Sequence, residues 1–151
     1  MTTDPNDPMH HAMIAAEAAA ARGEVPVGAV VVGPDGTIIA QAGNRTLELK
    51  DPTAHAEMLA IREACEALGN ERLTGCDIYV SLEPCQMCAG AISFARLRNL
   101  HFAAADPKMG GVLHGGKFFE QPTCHHRPEV HQGHLAHQSA ELLRAFFRTR
   151  R

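Results

Sequence analysis

The sequence predicts one α/β domain in which helices cover a mixed β-sheet. Segments patterned like strands alternate with segments patterned like helices, after a first pair of strands close enough to form a hairpin. The chain has 151 residues, 45% hydrophobic and 21% charged, which is typical of a globular protein with one core. We expect residues 1–8 to be a flexible N-terminus and residues 9–151 to form a single domain, since no repeat or linker divides them.

The first half of the chain predicts two helices and a hairpin. An Ala-rich helix is expected over about 9–22 and a second helix over about 53–68, and a glycine follows each of them. Between them, the valine-rich run 25–32 suits a buried strand, the Gly-Pro-Asp-Gly sequence 33–36 a turn, and residues 37–42 the returning strand.

The second half predicts two more strands, two more helices and a glycine-rich loop. In chain order these are a strand over 77–83, a helix to about Arg96, a strand over 100–105, the loop 106–116 and a last helix from about Leu135. Residues 117–133 are expected to be irregular or to contain a short fifth strand.

Charge is distributed unevenly along the chain. The formal net charge of -3 argues against a protein that coats nucleic acid, but it does not exclude a local basic patch. No acidic residue follows Glu141, whereas Arg144, Arg148, Arg150 and Arg151 crowd the end of the chain.

The cysteines and the N-terminal residues indicate a reducing, intracellular environment. Five cysteines is an odd number, which favours metal ligands or structural thiols over a disulfide framework. Asp4 and Asp7 stand where a secretory leader would be basic, and no run approaches the roughly 20 apolar residues that span a membrane. A cytoplasmic protein is expected.

Two short fragments predict a metal site. His55 lies at the start of a predicted helix, and Cys85 and Cys88 lie where a strand passes into the next helix. Cysteines at i and i+3 on a first helical turn face the same way, so both sulfurs can reach one ion. Zinc accepts thiolate and imidazole ligands, and a helix N-terminus helps to keep thiols ionised. We therefore predict a zinc site formed by His55, Cys85 and Cys88.

The number of ligands indicates a catalytic rather than a structural zinc. Three protein ligands leave the fourth tetrahedral position open, and water bound there has a pKa of about 7. Residues two apart on a helix point about 200° apart, so Glu57 does not share the face of His55. Glu57 is therefore predicted to be the proton shuttle beside the metal.

A Cys-x-x-Cys pair alone is weak evidence, because it also occurs in redox pairs and structural zinc knuckles. The combination of His-x-Glu at 55–57 with Pro-Cys-x-x-Cys at 84–88 is much more specific. It resembles the signature of zinc-dependent base deaminases.

Beyond these fragments, the sequence resembles the bacterial tRNA-specific adenosine deaminases over nearly its whole length. The matching segments are 24–29, 43–45, 51–57, 82–90, 106–108 and 146–151. The last of these, Phe-Phe-Arg-Thr-Arg-Arg, carries most weight for the substrate, because deaminases of free bases share the zinc motifs but are not expected to end in an arginine-rich helix.

The resemblance implies a fold, a reaction and an assembly. The fold is the three-layer α/β/α cytidine-deaminase-like fold with a five-stranded mixed sheet. The reaction is zinc-dependent hydrolytic deamination of the wobble adenosine of tRNA to inosine, with one Zn²⁺ per subunit. The partners are the anticodon stem-loop of tRNA and a second copy of the chain in a homodimer.

Substrate contacts around the metal are also implied by the resemblance. Asn44 is expected to hydrogen-bond the purine, and the backbone around Ala54 and Glu83 to hold the reaction intermediate. Asp106 and Lys108 are expected to line the groove for neighbouring nucleotides, with Asp106 accepting a hydrogen bond from a ribose 2′-OH.

The end of the chain is expected to contact RNA as well. Phe146 or Phe147 is expected to stack or pack near the flipped base, and Arg148, Arg150 and Arg151 to contact phosphates. The structural alternative is that one phenylalanine packs inward while the other meets the dimer partner. Cations near a helix C-terminus are also favourable without any ligand.

Other candidate residues keep two interpretations each. Cys124 is either a fourth zinc ligand, which would make the site structural, or part of a loop that places His125 or His126 near the substrate. Arg45 is either a phosphate contact or a surface ion pair. Buried core thiols are expected at Cys65 and Cys76, and surface positions at three histidines, namely His131, His134 and His137.

Two competing functions remain open at this point. A deaminase of a free nucleobase or nucleoside, of the guanine, cytosine or cytidine type, would share the zinc site but have no use for the terminal arginines. A non-catalytic, zinc-stabilised RNA-binding subunit would have four protein ligands on zinc and no need for Glu57.

Overall fold

A five-stranded mixed sheet forms the middle layer of the computed structural model, which describes residues 4–150. Its strands are β1 (Gly28–Val32), β2 (Ile38–Gly43), β3 (Asp77–Leu82), β4 (Asn99–Ala104) and β5 (Glu129–Gln132). Its helices are α1 (Pro8–Ala21), α2 (Thr46–Leu49), α3 (Ala56–Leu68), α4 (Gln86–Phe94) and α5 (Ala136–Arg148), and a short 3₁₀ helix spans Phe118–Glu120.

The strand order is β2-β1-β3-β4-β5. Strand β1 pairs antiparallel with both β2 and β3, whereas β4 runs parallel to β3 and β5 parallel to β4. All five residues of β1 are buried, as expected for a valine-rich strand covered on both faces. The short fifth strand that the sequence left open is therefore present, at one edge of the sheet.

Helices cover both faces of the sheet. Helices α1 and α5 contact each other and lie against one face, while α3 and α4 pack together over the other. The main core is on the α3 and α4 side, where Ile78, Val80, Leu100 and Phe102 are fully buried. The predicted three-layer α/β/α fold with a five-stranded mixed sheet is confirmed.

Helix α1 begins at Pro8, next to the predicted domain boundary. Asp7 is its N-cap and accepts a hydrogen bond from the Met9 N–H at 3.0 Å, and proline suits the first helical position. The Asp7 carboxylate also lies 2.6 Å from Nε2 of His134, which joins this end of α1 to the residues that precede α5.

The structure differs from the sequence prediction around α2 and α3. The four-residue helix α2 was not predicted, and α3 begins at Ala56 rather than near Thr53. The side chain of Asp51 accepts hydrogen bonds from the N–H and the hydroxyl of Thr53, at 2.8 and 2.7 Å. This local turn competes with helix formation and delays the start of α3.

None of the helices found between residues 4 and 150 is long and apolar enough to cross a lipid bilayer.

Candidate active site

His55 and Cys85 occupy equivalent positions, since each is the N-cap residue of a helix. Both have extended backbone conformations, and neither side chain makes the usual capping hydrogen bond to its own helix. The imidazole of His55, before α3, and the thiol of Cys85, before α4, are therefore free to turn toward each other. Cys88 follows on the first turn of α4 and is fully buried.

The three predicted metal ligands come together as the sequence suggested. Nδ1 of His55 lies 3.6 Å from Sγ of Cys85 and 3.5 Å from Sγ of Cys88. Tetrahedral zinc, with bonds of about 2.3 Å to sulfur and 2.0 Å to nitrogen, would separate such atoms by about 3.5 Å. The donor set and its spacing therefore fit zinc. Across residues 4–150, this is the one group of three potential ligands within 4.8 Å of one another.

The two thiols differ in their readiness to ionise. A hydrogen bond from the Cys88 thiol lowers the pKa of Cys85 to about 4, against the opposing effect of burial, and His55 adds to the lowering. The same hydrogen bond, together with burial, raises the pKa of Cys88. Because zinc binds thiolates, metal binding at this site must release the proton of Cys88.

Glu57 is buried beside this group, with 4% of its surface exposed. Burial raises the pKa of its carboxyl to about 7, while the charges of Cys85 and His55 act on it in opposite directions. A carboxyl group with a pKa near neutral can both accept and return a proton. Its position two residues after His55, on the first turn of α3, is the one predicted for a proton shuttle.

Asn44 is held on three sides at the end of β2. Its N–H donates to the Val27 carbonyl at 3.1 Å, and its own carbonyl accepts from the Arg22 guanidinium at 3.1 Å. Its side-chain Oδ1 accepts the N–H of Ala56, the residue between His55 and Glu57, at 2.8 Å. Nδ2 has no acceptor among the residues that the structure describes, and it is the donor available to a ligand.

Ala54 is fully buried in the loop before α3. Its N–H donates to the Asp51 carbonyl at 3.1 Å, and its carbonyl accepts the Arg45 N–H at 3.0 Å. Both backbone groups thus hold this loop in place. The predicted contact between this backbone and the substrate stays a prediction.

The side chain of Glu83 organises the loop after β4. Its carboxylate accepts the N–H groups of Asp106, Val112, Leu113 and His114, at 2.9 to 3.2 Å, and lies 2.8 Å from Nδ1 of His114. The first effect on this carboxyl is burial, which these hydrogen bonds outweigh, so its pKa is lowered. The N–H of Glu83 itself donates to the Ala104 carbonyl in the sheet. The predicted contact between the backbone around Glu83 and the substrate stays a prediction.

Asp106 and Lys108 both lie on the loop that Glu83 holds. Oδ1 of Asp106 accepts the N–H groups of Lys108 and Met109, each at 3.1 Å, and Lys108 is exposed. The backbone of this loop pairs with the metal-binding segment through a bridge between Gly110 and Cys85. Asp106 and Lys108, which are predicted to contact nucleotides, therefore lie on a loop that pairs directly with the segment carrying the zinc ligands.

The C-terminal residues divide into buried and exposed positions. Phe146 is 8% exposed, whereas Phe147 is 47% exposed, and the two rings meet edge to face. The guanidinium of Arg150 lies 3.8 Å above the Phe146 ring. Arg148 is the last residue of α5 and is exposed, while Arg151 lies outside the described residues. The inward packing of one phenylalanine is confirmed.

Cys124 and His126 lie at the far end of α4, away from the metal ligands. The Cys124 thiol donates to the His126 carbonyl at 3.2 Å, and Nε2 of His126 lies 2.7 Å from the Leu97 carbonyl. The fourth-ligand interpretation of Cys124 is wrong, because Cys124 is not part of the group of potential ligands. His126 is bound to the core rather than placed near a substrate.

Arg45 forms an ion pair with Glu48, in which its Nη2 lies 2.6 Å from Oε2 of the carboxylate. The surface-pair interpretation of Arg45 is therefore the one that the structure supports. Cys76 is buried and Cys65 half-buried, as expected for core thiols.

Sequence reasoning missed two residues around the site. Glu24 is a buried carboxylate whose hydrogen bonds all reach α2, about 22 to 24 residues later in the chain. His114 binds Glu83 from 31 residues away. The one local signal for Glu24 was its place directly before the strand predicted over 25–32, and no local signal marked His114.

The family model for the cytidine and deoxycytidylate deaminase zinc-binding region matches residues 2–104 of the chain. A tRNA-specific adenosine deaminase from Agrobacterium fabrum is 59% identical over 143 residues, which cover 95% of this chain and 93% of that protein.

Two solved structures are similar to the whole domain. One, from a study of A-to-I editing by tRNA:A34 deaminases at the wobble position, has a TM-score of 0.88 and 59% identity over 90% of this chain and 98% of that one. A guanine deaminase from Nitrosomonas europaea has a TM-score of 0.81 but 25% identity, over 97% of this chain and 86% of that one. By its zinc-binding region, its fold and its full-length similarity, the chain belongs to the tRNA-specific adenosine deaminases of the cytidine deaminase superfamily.

Proposed function

We propose that this protein hydrolyses the wobble adenosine of a tRNA anticodon loop to inosine and ammonia. One observation carries the chemistry: three ligands spaced for zinc meet beside the buried carboxylate of Glu57. The substrate follows from the similarity to tRNA-specific adenosine deaminases, which extends over 95% of the chain.

The residues of the chain supply binding and proton transfer. His55, Cys85 and Cys88 would hold zinc, which would supply a nucleophile from water at neutral pH. Glu57 accepts a proton from the attacking water and delivers it to N1 of adenine as the new bond forms at C6. Glu57 then carries the proton of the C6 hydroxyl to the departing amino group. Adenosine and water thus become inosine and ammonia.

Asn44 supports recognition of the base. Its Oδ1 is occupied by the Ala56 N–H, so the amide group is fixed with respect to the first turn of α3, which carries Glu57. The free Nδ2 is a donor suited to a ring nitrogen of the purine. A base in an anticodon loop is already partly unstacked, so flipping it out toward the metal site costs little free energy.

A homodimer and a cytoplasmic location are proposed with this function. Helix α4, which carries Cys88 and directly follows Cys85, also exposes Met87 and Phe94, seven residues apart on one face. Phe94 is 75% exposed, and an unpartnered apolar stripe next to a site supports an interface with a second copy. The free state of all five cysteines supports a reducing compartment.

The test is inosine formation on an adenosine-wobble anticodon stem-loop, with free adenosine, cytidine and guanine as parallel substrates. We expect inosine in the stem-loop alone, and a loss of at least about a hundredfold in Glu57→Gln with zinc still bound. Turnover of free guanine with the stem-loop untouched would keep the zinc chemistry but contradict the RNA substrate.

The role of the last residues is tested by substitution. Cutting the chain after Ala145 would remove Phe146 from the core, so replacing the exposed Arg148 and Arg150 with glutamine is the cleaner experiment. Weaker stem-loop binding, with a smaller dependence on salt, is expected from the loss of phosphate contacts. Unchanged salt dependence would contradict the predicted contacts.

A further inference from the structure

Glu24 is a buried carboxylate that the proposed reaction does not use. It lies between α1 and β1, and 2% of its surface is exposed. Its two oxygens accept the N–H of Leu47 at 3.2 Å and the N–H of Glu48 at 2.9 Å, and the Thr46 hydroxyl approaches at 3.4 Å. These three residues are the first turn of α2.

Glu24 performs the capping function that α2 lacks locally. The N-cap residue of α2 is Arg45, and its side chain makes no capping hydrogen bond. The first N–H groups of a helix need acceptors, and a negative charge there is favourable. A carboxylate from 22 residues earlier in the chain supplies both. A helix of four residues has little stability of its own, so its position depends on this contact.

A chain of polar contacts links α2 to Asn44. Glu48, on α2, pairs with Arg45 at 2.6 Å and lies 3.8 Å from Arg22. Arg22 donates to the carbonyl of Asn44 at 3.1 Å, and Asn44 reaches the N–H of Ala56 at the start of α3. The position of α2 is thus connected to Asn44, whose Nδ2 has no acceptor among the residues that the structure describes.

We propose that Glu24 is a positioning residue for base recognition, whose buried carboxylate stabilises α2 and so holds the amide of Asn44 in the orientation that receives the purine. Asn44 directly follows the edge strand β2 and lies just before α2, and a side chain placed between two elements needs support to keep a defined geometry. The inference rests on the proposed function, because it assigns Asn44 to the purine.

The first test is Glu24→Gln, with Glu63→Gln as the matched control. The amide has the shape of the carboxylate, but its NH₂ group faces an N–H donor where an acceptor is needed. Glu63 is an exposed carboxylate on α3 that lines the same surface groove as Arg45. We expect kcat/KM on the stem-loop to fall roughly tenfold to a hundredfold in Glu24→Gln, and to stay within about twofold in the control, with zinc content unchanged in both.

The second test separates positioning from general destabilisation. If Glu24 acts through Asn44, then Glu24→Gln changes kcat/KM less than about twofold in an Asn44→Ala background. An equal fold loss in both backgrounds would overturn the proposal. If Glu24→Gln unfolds at the assay temperature, Arg22→Gln is used in its place, because Arg22 is an exposed residue of the same network. If the effects of Arg22→Gln and Asn44→Ala on kcat/KM are then additive, the proposal is overturned.

A measurement without substrate decides the structural claim. The side-chain amide signal of Asn44 in NMR spectra is identified by its absence in Asn44→Ala. We expect it to shift or broaden in Glu24→Gln and to stay in place in Glu63→Gln, and an unmoved signal in Glu24→Gln would overturn the proposal. If the wild-type protein forms no inosine, the proposed function fails, while this signal still shows whether Glu24 positions Asn44.

Discussion

At the scale of single residues, the site depends on side chains placed where helices begin. His55 and Cys85 are N-cap residues that leave their own helices uncapped, and Glu57 and Cys88 follow on the first turns. A thiolate at such a position is stabilised by the N–H groups and the dipole of the helix. Two helix starts brought together therefore give a group of one imidazole and two sulfurs, with a carboxylate buried beside it.

Replacing one ligand tests the assignment of the metal site. Cys88→Ser is expected to lower the zinc content from about one ion per chain to well below half, after dialysis against a chelator, because a hydroxyl is a poor zinc ligand at neutral pH. Elemental analysis by mass spectrometry measures this content.

Cys124→Ser is the matched control for that measurement. Cys124 is also buried, but it is hydrogen-bonded to His126 rather than grouped with the ligands. The zinc content of the Cys124→Ser variant should therefore remain at about one ion per chain. Equal loss of zinc from both variants would mean that the metal is not held as described.

At the scale of elements, the close packing of helices on the sheet depends on small residues at particular positions. A Cβ on Gly28, in β1, would lie 2.0 Å from the carbonyl oxygen of Ala12 and 2.6 Å from the backbone N of Ala16. Helix α1 therefore approaches β1 as closely as a bare backbone allows. A Cβ on Gly90, in α4, would instead meet the ring of Phe118 at 3.5 Å, which is ordinary van der Waals contact.

This difference predicts opposite effects for the same substitution. Gly28→Ala must push α1 away from the sheet and should lower the free energy of unfolding by about 3 kcal/mol or more. Gly90→Ala should raise it by up to about 1 kcal/mol, because alanine is the better residue inside a helix. Chemical denaturation of both variants measures these changes, and a stable Gly28→Ala variant would contradict the packing.

Strand β4 carries a histidine whose environment makes stability depend on pH. His101 stacks between Tyr79 of β3 and His131 of β5, with ring centroids 4.2 and 4.5 Å away. Burial, followed by the charge of His131, lowers the pKa of His101 below its ordinary value of 6.5, although Asp77 and Glu129 oppose the change. The folded protein thus binds this proton less readily than the unfolded chain.

The sign of the effect follows from that difference. The contribution of His101 to the free energy of unfolding is full above the unfolded pKa of 6.5 and is lost as the pH falls from there to the lower folded value. The melting temperature of His101→Phe should therefore fall less than that of the wild type when the pH drops from about one unit above 6.5 to about one unit below it. If the melting temperature changes equally with pH in the two proteins, this assignment of the pH dependence to His101 is contradicted.

At the scale of the whole molecule, the exposed surface of α4 adjoins the site. Met87 and Phe94 lie on one face of a helix whose first turn holds a zinc ligand, and Leu113 is exposed on the loop that Glu83 organises. An interface on this surface would lie next to the site in each copy.

Sedimentation tests this interface. If the proposed homodimer forms through this face, Phe94→Ser should shift it from dimer to monomer, because a 75% exposed phenylalanine at the centre of an interface contributes much of its apolar contact. Ile14→Ser, at an exposed apolar position on α1 in the opposite layer, should leave the dimer intact. If the Phe94→Ser variant still forms a dimer, this face of α4 is not the interface.

Local patterns were sufficient for most of the fold and for the metal ligands. The predicted strand over 77–83 and the helix over 9–22 match β3 and α1 closely, because alternation and helical spacing are set by neighbouring residues. The ligands could be predicted for the same reason, since the i, i+3 spacing of Cys85 and Cys88 places both sulfurs on one helical turn. Strand β5 was left open because its Glu-Val-His-Gln sequence is mostly polar, as an edge strand can be.

The sequence by itself thus determined the α/β class, the zinc-binding group and the family resemblance, and it predicted Glu57 as the proton shuttle. Only the tertiary structure decided that Cys124 is not a ligand, that Glu24 holds α2, and that Glu83 holds the loop 106–114. The physical reason is distance along the chain. Spacing within one turn reports short-range geometry, whereas a buried carboxylate finds its hydrogen-bond donors 22 to 31 residues away only after the sheet order and helix packing have brought those segments together.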